Sequence, residues 1–448
     1  MRRITAAAAA LLACAAASPV RAQDTLRLTL DEAVDLALDR NPQRRQALND
    51  LDVAAAQTRA AWGGFMPSLN ASLGFNGGQS TVITGTDNFG NPIRRDDPIT
   101  SKSSSANQSI STSLTLFDGG ATLANVRAAR AGERAAEATI AAGAAQLRSQ
   151  VVQRYYAAVK ADRQVELEQR LLAAAADQLD RTERQFRIAA ASQADVLGAR
   201  SYLLSKEQAL IAAEAAAAVA LLTLRQTLGV EDPRPIVLDT ELPPVFDPAG
   251  LSADDLVARA TSSHPQIAEA LARAAAADRQ ASAAGARRWP TVTGGASYGR
   301  SMGLPNYGAF GELDPQNRSF GFNLNVSVPL FQRFQTSSAI ASADAAASDA
   351  RESARMARLQ IERDVRAGLI DLQRAYRTLE LADEQAAITN ERLEMAQEQF
   401  RAGAIDFLQL QQIINDTETS QRTAVDARFT FIDALAVLEE RVGGPLGN

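Results

Sequence analysis

From Ala121 to Ile188 the chain contains no proline, and its only glycines are Gly132 and Gly143. Nothing in that run breaks an α-helix, and at 1.5 Å per residue it predicts a helix roughly 100 Å long. A second run of the same kind extends from Thr336 to Ala402. Helices of that length exclude a conventional large core. The composition agrees: of 448 residues 46% are hydrophobic but only 5% aromatic, which favours long, closely packed, alanine-rich helices. Along the second run Leu369, Leu372, Tyr376 and Leu379 follow the 3-4-3 spacing of a coiled-coil seam. Two shorter helical stretches accompany each long one. Pro42 to Phe65 and Ser192 to Leu228, stacked end to end, approach about 90 Å. Pro265 to Arg288 and Ile405 to Val442 repeat the arrangement.

The chain is written twice. Arg40-Asn41-Pro42-Gln43 recurs as Ser263-His264-Pro265-Gln266, and Pro67 recurs as Pro290 at the same offset. Phe117 matches Phe331, and Gln185-Phe186-Arg187 matches Gln399-Phe400-Arg401, at a slightly shorter one. The halves are expected at 23–229 and 251–443, with a tail at 444–448. Between them Pro233, Pro235, Pro243, Pro244 and Pro248 mark residues 230–250 as a linker rather than an element.

Spliced between the helices are four segments with strict two-residue alternation, expected as strands at about 68–77, 107–117, 291–300 and 319–330. Leu69, Ala71, Leu73 and Phe75 alternate with Ser68, Asn70, Ser72 and Gly74, and Phe320, Phe322, Leu324, Val326 and Val328 with Gly321, Asn323, Asn325 and Ser327. About ten residues is the length of a tilted strand crossing a bilayer, with apolar side chains toward lipid and small polar ones toward a lumen. A soluble antiparallel sheet with one wet face would show the same alternation. Three features favour lipid. The polar face is Ser, Thr, Asn and Gly with almost no Lys or Glu. The segments from Gly78 to Ala106 and from Ser301 to Arg318 read as long polar loops. Trp62, Phe65, Phe117, Trp289, Phe331 and Phe334 cluster where strands meet helices, as an interfacial aromatic girdle would. Four strands cannot close a barrel, and an open edge in lipid strands backbone donors and acceptors. The strands must be pooled between chains: two chains give eight strands, and three give twelve and room for a pore. A trimer is the expectation. Asp118-Gly119-Gly120 is then the elbow between membrane strand and helix, with Asp118 placed to cap.

The N-terminus, MRRITAAAAALLACAAASPVRA, has a basic start, a short apolar segment and a cleavage site at Val20-Arg21-Ala22. Residues 1–22 read as a secretory signal. Leu11 to Cys14 also resembles a lipoprotein cleavage box, in which Cys14, the only cysteine, would be lipidated. Beyond that segment no run reaches the ~20 apolar residues of a membrane-spanning helix. The net charge of −6 and the lack of a basic stripe argue against a nucleic-acid partner.

The sequence resembles the TolC-like outer-membrane efflux family, also called outer membrane factors, over nearly the whole mature chain. Leu28 to Pro42 is similar to the family's opening signature, and Leu251 to Pro265 is its weaker second copy. Leu116-Phe117-Asp118-Gly119-Gly120 resembles the strand-to-helix elbow. Pro329-Leu330-Phe331 keeps part of it, but Gln332-Arg333-Phe334 departs from Asp-Gly-Gly. The resemblance implies a mixed α+β membrane protein. It would form a trimeric twelve-strand β-barrel in the outer membrane and a twelve-helix coiled-coil α-barrel crossing the periplasm. It further implies a passive exit duct, docked through a periplasmic adaptor to an inner-membrane transporter of RND, ABC or MFS type, exporting small molecules or whole polypeptides. A pore-less trimeric coiled coil or adhesin, and a periplasmic binding module or enzyme, are the alternatives.

No chemistry competes with that reading. The one histidine, His264, holds the position of Asn41 in the first half and precedes a proline suited to a first helical turn. No zinc cluster, phosphate loop or nucleophile motif is present, so no cofactor or metal is expected. The carboxylates read as spread along solvated helical faces. By the resemblance, the hairpin tips would dock the adaptor (Arg187, Ala189, Gly403, Ala404) and narrow the pore (Asp195, Arg401, Asp406, Gln409, Gln412). Asp195 falls where the family has an acidic gate residue, Gln409 and Gln412 where relatives often have acids, and Ala189 opposite the tip glycine Gly403. Arg401 is expected to tether Asp195 or Asp406.

Overall fold

The structure, a computed structural model, describes residues 26–189, 191–231, 234–304 and 317–446. The expected signal segment with Cys14, Pro233, and residues 305–316 of the second polar stretch lie outside them. In chain order the elements are β1 (Leu26–Leu28), α1 (Leu30–Arg40), α2 (Pro42–Gly63), β2 (Ser68–Thr86), β3 (Pro92–Phe117), α3 (Ala121–Arg187) and α4 (Gln193–Leu228). These are followed by β4 (Ile236–Leu238), α5 (Ala253–Ser263), α6 (Pro265–Ala286), β5 (Thr291–Leu304), β6 (Asn317–Ser327), α7 (Gln335–Arg401) and α8 (Phe407–Val442). Each of the two long helices, α3 and α7, runs 67 residues. The chain divides into two compact units.

One unit comprises Met1–Gln46, Ala141–Pro265 and Arg358–Asn448. Its order comes from a heptad of small and apolar residues. On α7, Ile361, Ala375, Ala382, Thr389 and Ala396 are buried at multiples of seven, with Val365, Leu372 and Leu379 on the alternate row. That is the two-row seam of a coiled coil. Ala375 takes the core position that the 3-4-3 pattern gives to Tyr376. The tyrosine flanks the seam, half-buried, with its ring 6.1 Å from that of Phe431. Alanine lets the backbones approach, and at Gly368 an added Cβ would stand 3.2 Å from Leu438 Cδ1. On α8, Leu410, Thr417, Phe431 and Leu438 bury with the same period.

The proline-rich segment is more than a linker. Its Ile236-Val237-Leu238 forms a strand parallel to Leu26-Arg27-Leu28, because three β-formers stand between the prolines. The hydroxyl of Tyr155, in α3, donates to the carbonyls of Leu28 (3.1 Å) and Asp239 (2.8 Å), tying this small sheet to the helices. Thr29 and Glu32 form a capping box at the start of α1. α4 also departs from expectation. By length and composition it is apolar enough to cross a membrane, since its alanine run joins Leu221 and Leu222.

The other unit comprises Ala47–Ile140 and Gln266–Ala357. It holds an antiparallel sheet in the order β2-β3-β5-β6, with β2 and β6 as open edges. The strands of the first hairpin are longer than the alternation suggested. Pairing runs from Ser68↔Ser113 to Thr86↔Pro92, with a bulge between Val82 and Thr84. The stretch read as a polar loop is therefore a ribbon closed by a short turn, where Asp87 accepts from the N–H of Phe89 and Asn91, both at 2.8 Å. Thr81, Val82, Ile83, Ile99 and Thr100 are β-branched and carry the ribbon despite its polarity. β5 extends to Leu304. β6 stops at Ser327, short of the expected 330, before Pro329, which has no N–H to offer a ladder.

One face of this sheet carries Leu69, Leu73, Ile110, Tyr298, Phe320, Phe322, Leu324 and Val326, all exposed. The other carries serines that pair across strands, Ser68 with Ser113 (2.8 Å) and Ser72 with Ser109 (2.7 Å). Glycine makes room there: a Cβ on Gly295 would lie 2.7 Å from Asn323 Oδ1.

Candidate functional site

The two helical hairpins of the first unit end in turns built on one plan. Ser192 caps α4. Its Oγ accepts from Asp195 N–H (3.2 Å), and Asp195 Oδ2 accepts from the N–H (2.8 Å) and hydroxyl (2.7 Å) of Ser192. Asp406 caps α8, accepting from Gln409 N–H at 2.8 Å. Asp195 and Gln409 thus hold the same third position of their helices. The second hairpin carries its carboxylate three residues earlier, at the cap. Gln412 donates to Asp416, 3.0 Å away and one turn on.

Arg401 does not reach either tip carboxylate. It pairs with Glu398 at 2.8 Å, one turn back on its own helix, while Asp195 and Asp406 are engaged by their own helix starts. The preceding turns match as well. Ala189 (φ 58°) and Gly403 (φ 73°) both adopt the left-handed conformation that ends a helix. Ala189 N–H donates to Phe186 O (3.0 Å) and Gly403 N–H to Phe400 O (3.1 Å), and Ala404 N–H reaches Gln399 O (2.8 Å). Arg187, Ile188, Leu197 and Leu408 point to solvent, the last three 76%, 58% and 76% exposed.

Two residues at the tips escaped the sequence reading. Phe407, the first residue of α8, packs on Gly198 of α4, where a Cβ would lie 3.1 Å from the ring. The signal was a glycine in the first turns of a helix, where it is unfavourable unless something must come close.

Deeper in the same unit lies a charged cluster that sequence reasoning placed on solvated faces. Glu418 on α8 is 4% exposed and Lys206 on α4 is 7% exposed. The two are ion-paired, and Tyr202 also donates to Glu418. Arg422 lies 3.8 Å from Glu418 and makes a two-pronged contact, 2.8 and 3.1 Å, with Glu168 of α3, itself buried. Nearby, Thr417 donates to the Thr389 carbonyl (3.1 Å), joining α8 to α7. Burial and the neighbouring carboxylate push the Tyr202 phenol up, so it stays a donor. The heptad phase on α8, which puts Thr417 in the core, was the available signal.

In the second unit the strand-to-helix elbow closes as its sequence predicts. Asp118 accepts from Gly120 N–H (3.0 Å) and from the N–H and hydroxyl of Thr122, capping α3. Gly119 (φ 67°) and Gly120 (φ 84°) are left-handed. Gly119 has a second constraint, since a Cβ there would fall 2.1 Å from Trp289 Cβ. The aromatics meet in pairs at the two elbows. Trp62 and Phe65 lie 5.8 Å apart, with Arg130 over the Trp62 ring, and Phe331 meets Phe334 edge-on at 5.7 Å. Among the described residues no His, Cys, Asp and Glu come together as a metal site.

The sequence profile described as "Outer membrane efflux protein" matches residues 33–230 and 256–444, most of the chain. The chain belongs to the outer membrane efflux protein family. That family is one of channels, not of enzymes. Protein CyaE of Bordetella pertussis is 30% identical over 310 residues, 68% of this chain and 61% of that protein's length. The fold matches a membrane protein of Pseudomonas aeruginosa (TM-score 0.74, 20% identity, covering 92% of this chain and 93% of that one). It also matches the CmeC outer membrane channel of Campylobacter jejuni (TM-score 0.74, 16% identity, 93% and 85%).

Proposed function

We propose that this family member is the outer-membrane exit duct of a tripartite efflux or type I secretion system, and that it works as a trimer. One observation carries the reading: the four-stranded sheet exposes a face rich in large apolar side chains, bounded at one level by Gln108, Arg300 and Arg318, and leaves both edges, β2 and β6, without partners. In lipid that arrangement is tenable only if the edges are closed by other copies. Three copies supply twelve strands, enough for a pore. The helical unit supports association between copies. α4 exposes Leu197, Leu204 and Ile211 at intervals of seven, and α7 exposes Leu381, Ile388 and Met395 likewise. Two different unpartnered seams on one chain favour a head-to-tail ring of copies.

The tips are the docking end. Ile188 and Leu408 offer apolar contact to a periplasmic adaptor, with Arg187, Ala189, Gly403 and Ala404 shaping the turns. The inner-membrane transporter, of RND, ABC or MFS type, engages through that adaptor. Asp195, with Asp406 and the amides Gln409 and Gln412, rings the narrow end of the pore. The elbow aromatics Trp62, Phe65, Phe117, Trp289, Phe331 and Phe334 mark the periplasmic membrane boundary. An N-terminal signal would deliver the chain there.

The experiment is conductance of the purified protein in a planar lipid bilayer. A duct gives discrete, long-lived channel openings. A coiled-coil scaffold or adhesin of the same fold gives none, and that outcome would remove the transport assignment.

A further inference from the structure

The second elbow differs from the first where neither capping nor core packing asks for it. The first turns on Gly119 and Gly120. The second turns on Arg333 and Phe334, held at φ of 48° and 64°. Left-handed backbone is unfavourable for any residue with a Cβ and persists where the surroundings impose it. Glycine makes this turn freely, as the first elbow demonstrates. Two strained residues in succession therefore point to a use for their side chains.

Those side chains do not enter a core. Leu330, Phe331 and Phe334 are 92%, 72% and 75% exposed. Phe320, Phe322, Leu324 and Val326 form an exposed even-numbered row on β6, and Val328 and Leu330, beyond its end, are exposed as well. Exposed apolar side chains are thus found both on the β6 face and on the elbow that follows it. Beside it lies a cavity of about 510 Å³ lined by Arg288, Leu330, Phe331, Phe334, Ile340 and Asp344. Arg288 and Arg333 are exposed and have no hydrogen-bond or ion-pair partner among the described residues. The charge contrast with the first elbow is direct. There Asp118 caps its helix, whereas the second elbow has Gln332 in that place and an arginine after it.

We propose that this elbow binds one anionic phospholipid of the periplasmic leaflet. The acyl chain lies along Leu330, Phe331 and Phe334, and the phosphate pairs with Arg288 at the cavity, with Arg333 on the adjoining turn adding to the positive charge. Aromatic rings and arginines at the depth where a strand leaves the bilayer fit that ligand at both ends. Asp344 repels an anion, which keeps the phosphate on the arginine side. The assignment rests on the outer-membrane reading above, since it takes the apolar row of β6 as the lipid face.

The test is native mass spectrometry of the detergent-purified particle after exposure to phosphatidylglycerol or phosphatidylethanolamine. The wild type should retain phosphatidylglycerol preferentially. Arg333→Gln and Arg288→Gln should each lower that retention about fivefold. Arg333→Gly with Phe334→Gly copies the first elbow, relieves the strain and should fold at least as well. It should lose the preference while its single-channel conductance stays unchanged.

Equal retention of the two lipids by the wild type would overturn the proposal. So would displacement of the lipid by soluble glycerol phosphate, which would make this a free-phosphate site. A protein that copurifies with the wild type but not with the double glycine variant, with lipid retention equal in both, would assign the surface to a protein partner instead. A wild-type protein that neither inserts nor conducts would remove the duct reading itself. A conducting channel without lipid preference overturns this inference alone.

Discussion

Replacing Lys206 with methionine isolates the contribution of the buried cluster. The Lys206 and Glu418 side chains are 9% and 5% exposed, so water screens little of their interaction. Removing one member of a buried pair leaves an uncompensated charge, at about 3–5 kcal/mol. Arg422 stays 3.8 Å from Glu418 and offsets part of that, which places Lys206→Met near about 3 kcal/mol. Expressed as local opening, this is about a hundredfold faster amide exchange in α4 and α8. Hydrogen-exchange mass spectrometry of peptides covering residues 199–210 and 412–424 reads it directly. Lys206→Met combined with Glu418→Gln removes both charges and should recover most of the protection. The pair Lys160–Asp426, with side chains 33% and 50% exposed, is the control. Breaking it with Lys160→Met should change exchange by no more than about fivefold. Exchange in α4 and α8 that Lys206→Met leaves at wild-type rates would refute the reasoning, because the pair would then carry no net stabilisation.

Four further outcomes are expected. Gly119→Ala drives a Cβ to within 2.1 Å of Trp289 Cβ and should cost about 3 kcal/mol of overpacking and backbone strain. Gly120→Ala meets nothing within 4 Å and should cost about 1–2 kcal/mol; equal yields of folded protein from the two would contradict this. Burial holds the His264 imidazole below its usual pKa, so the unfolded chain binds the proton more readily. Its contribution to stability is present above about pH 6.5 and is lost as pH falls below that. His264→Asn, the residue at the matching site Asn41, should flatten the acid limb of a melting-temperature profile; an unchanged limb would assign it to other groups. Charge removal by Asp195→Asn should alter single-channel conductance, and unchanged conductance and ion selectivity would end the gating role. Ala189→Gly relieves a left-handed alanine and should stabilise by up to about 1 kcal/mol, read as a small rise in melting temperature.

What the sequence made legible follows from where local chemistry decides the structure. Asp118-Gly119-Gly120 contains its own cap and its own left-handed residues, so the elbow could be read from three letters. The uninterrupted runs of α3 and α7, and the seam through Leu369, Leu372 and Leu379, are periodic signals of the same local kind. The ribbon from Gly78 to Ala106 was hidden because serine, asparagine and threonine look like loop when no partner strand is known, although Val82, Ile83 and Ile99 carry β preference. The strand Ile236–Leu238 was masked by its flanking prolines. Glu168, Lys206 and Glu418 were illegible for a different reason: their burial depends on the mutual phase of α3, α4 and α8, and no single helix contains that information. Arg401 looked like a tether because Asp195 and Asp406 are acidic. The capping bonds those carboxylates make to Ser192 and Gln409 emerge only once the helix starts are in place.

The central claim is that the strands of several chains are pooled in the outer membrane, and the mass of the particle extracted from outer-membrane fractions tests it most directly. A detergent-solubilised particle of three chains, recovered from that membrane, is the predicted result. A soluble monomer, or a membrane-free filament, would contradict the lipid-facing assignment of the sheet, and the duct would fall with it.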